Sequence, residues 1–126
     1  AMRTIEGVGG CVHVESPYVN ALYAMNKEIP PIQHNFVFQF AGRGVALGPA
    51  MKSGTEDFAE RTLEAMGDHF GVVWKNHGLF CVGDTVERAW RRCWAAEQAA
   101  RVYHLALTLQ AGEPDLIPEE VQASMV

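Results

Sequence analysis

Positive charge, paired cysteines and long apolar runs are what this sequence has least of, and each shortage narrows what the chain can be. Lys and Arg number 10 against 15 Asp and Glu, which leaves a net charge of −5. The longest basic run is Arg91-Arg92. An acidic chain without a basic stripe argues against nucleic acid or an anionic membrane surface as a partner, and any anionic ligand would need a local positive site. The three cysteines, Cys11, Cys81 and Cys93, are an odd number, far apart and without a CxxC pair. Each sits among apolar neighbours, so they read as buried free thiols in a reducing compartment rather than as a disulfide framework. No apolar stretch approaches the ~20 residues of a membrane span. Met2 is followed by Arg3 and a Gly-rich segment rather than by the apolar core of a signal peptide. The expected location is the cytoplasm. No internal repeat or low-complexity tract is visible.

What is present is a globular composition. Of 126 residues, 48% are hydrophobic and 20% charged, which suits one domain able to bury about two-thirds of its unfolded surface.

Local patterns predict the elements. Cys11-Val12-His13-Val14-Glu15 alternates and is β-branched, so it reads as a strand with Val12 and Val14 on one side and Cys11, His13 and Glu15 on the other. Ser16-Pro17 is a helix start, with Ser at the N-cap; that helix should run to about residue 26, buried on Val19, Leu22 and Tyr23, with Met25 a further candidate for the same face. Pro30-Pro31 forces an extended connection. Residues 33–40 fit a short helix or a strand, with helix preferred, and 45–47 a short strand. Thr55 to Met66 reads as an amphipathic helix with Phe58, Leu63 and Met66 inward, capped by Ser53 or Thr55. Residues 71–75 and 79–82 read as a closely spaced strand pair joined through Asn76-His77-Gly78. Asp84-Thr85-Val86-Glu87 resembles a capping box opening a helix over 85–110, whose near-heptad stripe would be Val86, Trp90, Cys93, Glu97, Ala100, His104 and Leu107. A last short helix is expected over 119–124. Strands alternating with helices in this way suit an α/β fold, a central mixed sheet with helices on both faces.

The chemistry-bearing residues are few. On a strand, His13 and Glu15 share a face at Cα atoms roughly 6–7 Å apart, close enough to close on one metal ion if a third ligand comes from elsewhere. His77, in a turn at a strand end, is the candidate. Two imidazoles and a carboxylate with open positions suit catalytic zinc and also non-haem iron(II). On spacing alone, the alternative is a surface pair on an edge strand with an unrelated His77. Other titratable residues read as structural: His34 as a loop residue, His69 beside Asp68 as a surface residue at a helix end, His104 as a packed histidine, and Glu97 as a partner of Arg101 or of a neighbouring backbone group. Tyr18 and Lys75 are secondary site candidates. Trp74, Trp90 and Trp94 read as core or subunit-contact residues.

The run Cys11-Val12-His13-Val14-Glu15-Ser16-Pro17-Tyr18 resembles the His-x-His-Ser-Pro-Tyr signature of class II aldolases. Val72-Val73-Trp74-Lys75-Asn76-His77-Gly78-Leu79-Phe80 is similar to that family's Asn-His-Gly motif behind an apolar strand. Ile29-Pro30-Pro31 and Gly83-Asp84-Thr85-Val86-Glu87-Arg88-Ala89 are similar too, and the order of the pieces fits the class II aldolase/adducin family from about residue 9 to 120. The resemblance implies a three-layer α/β/α domain lacking the family's N-terminal segment, which holds a phosphate-binding loop and an acidic residue. It implies a divalent metal, zinc first, held by His13 and His77, with Glu15 standing where the family has its second histidine. A carboxylate there lowers the metal's net charge and makes iron(II) or manganese apt as well. The activity it implies is a metal-dependent lyase on a small hydroxy-carbonyl compound, a sugar or sugar phosphate, with the metal polarising a carbonyl. A homotetramer with sites at subunit interfaces is implied as well. Two other functions share the fold: a non-catalytic adducin-like module, and an iron(II) oxygenase.

Overall fold

Alternation around His13 does produce a strand, but one set a residue earlier than the pattern suggests. In a computed structural model that describes all 126 residues, β1 spans Gly10–Val14. Ser16 follows at φ 34°, in the left-handed region. The chain has turned before the alternation reaches Glu15, so the expectation of a five-residue run ending on Glu15 is corrected by one residue.

Three further strands complete a sheet: β2 (Ala46–Gly48), β3 (Gly71–Trp74) and β4 (Gly78–Gly83). Their spatial order is β1-β4-β3-β2. β4 lies antiparallel to both β1 and β3, whereas β2 and β3 are parallel, so the sheet is mixed. The register sets His13 opposite Phe80, Val14 opposite Leu79, and Trp74 opposite Gly78.

The chain has five helices: α1 (Pro17–Ala24), α2 (His34–Gln39), α3 (Glu56–Met66), α4 (Val86–Thr108) and α5 (Glu119–Ser124); α1 ends before Met25, which is 74% exposed rather than inward, and α5 buries no residue. The two faces of the pleat fill two cores. Val73, Leu79 and Cys81 join residues of α1, α2 and α4 in the larger one, with Val12 and Val14 packed against it. Val72 and Val82 join Met66 of α3 in the smaller, with Cys11, Phe80, Leu63, Ile5 and Val8 against it. His13, two residues after Cys11, therefore belongs to the α3 face. This is the three-layer α/β architecture expected. No helix is long and apolar enough to cross a membrane.

Local chemistry explains the helix limits. Thr55 accepts from the Phe58 N–H, and Thr85 from the Arg88 N–H, so each caps a helix start. Ser16 does not cap α1 with its side chain. Instead the Tyr18 N–H donates to Glu97 Oε1 at 2.7 Å. Of the two partners expected for Glu97, the neighbouring backbone group is the one found.

The stripe expected along α4 needs correction. Its buried face is Ala89, Arg92, Cys93, Ala95, Ala96, Ala99, Ala100 and Tyr103. The alanines let the helix lie close on β1 and β4, where a tryptophan would not fit. Trp90 and Trp94 point outward and are each 52% exposed, so they are not core residues. His104 is exposed too, its ring 5.4 Å from that of Tyr18, and is not a packed histidine.

Candidate metal centre

The β3–β4 hairpin carries His77 back over β1. Asn76 takes φ 63°, a left-handed conformation that Asn tolerates, and the His77 N–H closes the turn on the Trp74 carbonyl at 2.9 Å. Gly78 then passes directly under β1. A Cβ there would lie 2.5 Å from the Val14 carbonyl oxygen and 2.7 Å from His13 Cε1. Only glycine allows the turn to approach so closely.

The result is a pair of imidazoles. The His13 and His77 ring centroids are 4.9 Å apart, nearly edge to face at 74°. Trp74 packs against both, at 4.8 Å from His13 and 5.3 Å from His77, and continues onto Phe80 and Phe58. Its indole N–H donates to Thr62 Oγ1 at 2.9 Å, which fixes the ring. His13 Nδ1 lies 3.0 Å from the Leu79 carbonyl oxygen. A carbonyl only accepts, so Nδ1 carries the proton and Nε2 keeps its lone pair. Metal-binding histidines are typically oriented in this way by a second hydrogen bond.

Asn20, on α1, ties the pieces together. Its Nδ2 group donates to the Glu15 carbonyl and, at 3.0 Å, to the His77 carbonyl. No pattern points to this residue, because a polar side chain at a half-buried helix position has none of its own. Replacing Asn20 by Asp removes both donors and aims a carboxylate at two carbonyl oxygens. Urea denaturation is expected to show a loss of about 1–3 kcal/mol; an unchanged midpoint would show that the clamp carries no weight.

Of the three expected ligands, the structure brings two together. No three His, Cys, Asp or Glu side chains are gathered closely enough to hold a metal ion. The Glu15 side chain, exposed and beyond the strand end, does not join the imidazoles. The pair thus offers two imidazoles, donors that suit a divalent cation. The thiols offer no substitute: burial pushes Cys11 up and Cys81 well up from the ordinary thiol range, which keeps both protonated. Tyr18 packs against the larger core, and Lys75 Nζ donates to Asn26 Oδ1 at 2.8 Å. His34, at the exposed start of α2, and His69, whose Nδ1 lies 3.0 Å from the Met66 carbonyl, are not part of the pair.

Known proteins share both the sequence and the fold. A family described as "Class II Aldolase and Adducin N-terminal domain" matches residues 1–104. Rhamnulose-1-phosphate aldolase of Listeria monocytogenes is 31% identical over 77 residues, 61% of this chain and 28% of that protein. The enzyme of that name from Klebsiella pneumoniae is 31% identical over 80 residues, 64% of this chain and 29% of its own length. Among solved structures, an L-fuculose 1-phosphate aldolase matches with a TM-score of 0.85 at 22% identity, covering 98% of this chain and 57% of the other. A sugar-phosphate aldolase from Thermotoga maritima gives 0.70 at 22%, covering 90% and 50%. The matched part is thus 28–29% of the length of these curated relatives.

Proposed function

Because the chain belongs to the class II aldolase and adducin family, we propose that it contributes the metal-binding histidines of a lyase acting on a sugar phosphate or a related hydroxy-carbonyl compound. The observation that carries this reading is the His13–His77 pair, with centroids 4.9 Å apart and His13 Nδ1 committed to a backbone carbonyl. His13 and His77 hold the cation, zinc first. Glu15 is the third candidate, since its backbone is fastened beside His77 by Asn20. A bound divalent ion would supply Lewis acidity to a substrate carbonyl.

The chain's own residues supply orientation and one apolar wall. Leu79 fixes the tautomer of His13. Trp74, half-buried between the imidazoles and α3, closes one side of the pair with apolar surface. A homo-oligomer belongs to the same reading, supported by the exposed Trp90 and Trp94 on α4.

The test is direct. The chain loaded with zinc is expected to cleave rhamnulose 1-phosphate or fuculose 1-phosphate into a three-carbon ketone phosphate and an aldehyde, and a chelator should abolish the activity. The absence of an assembled third donor favours a second reading, a non-catalytic binding module. Intact sugar phosphates after incubation with the zinc-loaded chain would support that reading instead.

A further inference from the structure

At the far end of β4 from His77 lies a cavity of about 450 Å³. The six residues of β4 separate the two places by about 17 Å at ~3.4 Å per residue, so one small molecule cannot occupy both. Arg43, Arg88 and Arg92 line the cavity on its basic side, and Ile5, Val8 and Phe70 supply apolar wall.

Arg92 is the unusual member. It is only 9% exposed. Its Nε donates to the Gln39 carbonyl at 2.9 Å and its Nη1 to the Val82 carbonyl at 2.6 Å. The guanidinium lies 3.9 Å from the centroid of the Phe70 ring, and that of Arg43 lies 4.9 Å from the same centroid. Two backbone acceptors and an aromatic face thus fix the Arg92 fork, while its Nη2 group makes no hydrogen bond to the protein. Arg43 Nη1 donates to the Asp68 carbonyl at 2.6 Å, and the Arg88 side chain has no partner.

The carboxylates Glu6, Asp68 and Asp84 also border the cavity. None of the chain's close ion pairs includes Arg43, Arg88 or Arg92, and Asp68 pairs with His69 instead, at 3.7 Å. Burial first, then the charge of Arg88, lowers the pKa of Arg92; Cys81 and Asp84 oppose the shift and Arg43 adds to it, so the nearby Asp84 carboxylate offsets the lowering without forming a close ion pair. Three guanidiniums facing one space without a carboxylate partner form a site that an anion would complete, and planar forks suit phosphate oxygens.

We propose that this cavity binds a phosphate monoester, with Arg43, Arg88 and Arg92 on the phosphate and the organic body against Ile5, Val8 and Phe70. A dianion matches the concentrated charge better than a single carboxylate does. The site is separate from the histidine pair and does not depend on the reading of that pair.

Isothermal titration of the chelator-treated chain with inorganic phosphate and with glycerol 3-phosphate tests this. Both should bind at one saturable site, the ester more tightly. Arg88→Ala, an exposed change that removes no hydrogen bond, and Arg43→Ala should each weaken binding about tenfold. Arg92→Lys, which keeps the charge and loses the fork, should do likewise with the circular dichroism spectrum unchanged. His77→Ala should leave phosphate binding intact. No saturable binding, full affinity in Arg88→Ala, or loss of binding in His77→Ala would each overturn the site. Weaker binding of the ester than of inorganic phosphate would overturn the choice of a monoester.

Discussion

Replacing His77 by alanine is expected to lower the chain's zinc affinity at least about a hundredfold, since losing even an outer partner of a metal ligand costs about ten- to a hundredfold. The two imidazoles are the donors that the fold assembles. With one removed, the remaining lone pair on His13 Nε2 is a single neutral ligand and cannot hold the ion against water. Competition with a chelating dye measures the change. His34→Ala and His69→Ala are the controls, because neither ring belongs to the pair. Equal affinities in all three variants would mean that the ion binds by surface histidines and not at the hairpin.

A large loss of stability is expected from Gly78→Ala, the smallest side chain that can be added. Its Cβ would meet the Val14 carbonyl oxygen at 2.5 Å, His13 Cε1 at 2.7 Å and Glu15 Cα at 3.3 Å. The His13 ring is exposed but tethered. Its Nδ1 is tied to Leu79 at 3.0 Å, and Trp74 lies 4.8 Å from its centroid. Relief requires β1 and β4 to move apart where they are paired between Val14 and Leu79. A loss of about 3 kcal/mol follows from overpacking against backbone, and Tm should fall by roughly 10 °C in a domain of this size. Zinc affinity should fall with it, because the added methyl displaces a ligand ring. A variant with wild-type Tm would show that the close approach at Gly78 is not required.

Much of the architecture was legible because local chemistry and tertiary structure agree. Thr55 and Thr85 cap the helices that their positions suggest, and the hairpin through Asn76-His77-Gly78 forms with β4 beginning at the glycine. The short helix α2 emerged from an ambiguous run because Phe36, Val37 and Gln39 turn inward together. Patterns failed where packing overrides hydrophobicity. On α4 the heptad-like stripe put Trp90 inside. The space against β1 and β4 admits alanines, and the tryptophans were pushed to solvent. Arg92 stood out only as half of the longest basic run, yet its guanidinium is buried on backbone carbonyls that no sequence pattern announces.

The candidate site was legible in part for a similar reason. His13 and His77 are brought together by strand register, which follows from alternation and turn chemistry. Glu15 falls one residue past the end of that register, where Ser16 turns the chain. Period-two reasoning extends only as far as the strand does.

X-ray absorption at the zinc edge of the loaded chain most directly tests whether the hairpin holds a metal. Two imidazoles in the inner shell are predicted, falling to one in His13→Ala, with oxygen donors making up the remainder. A shell with a single imidazole in the unaltered chain, or one containing sulfur, would contradict the assignment of His13 and His77.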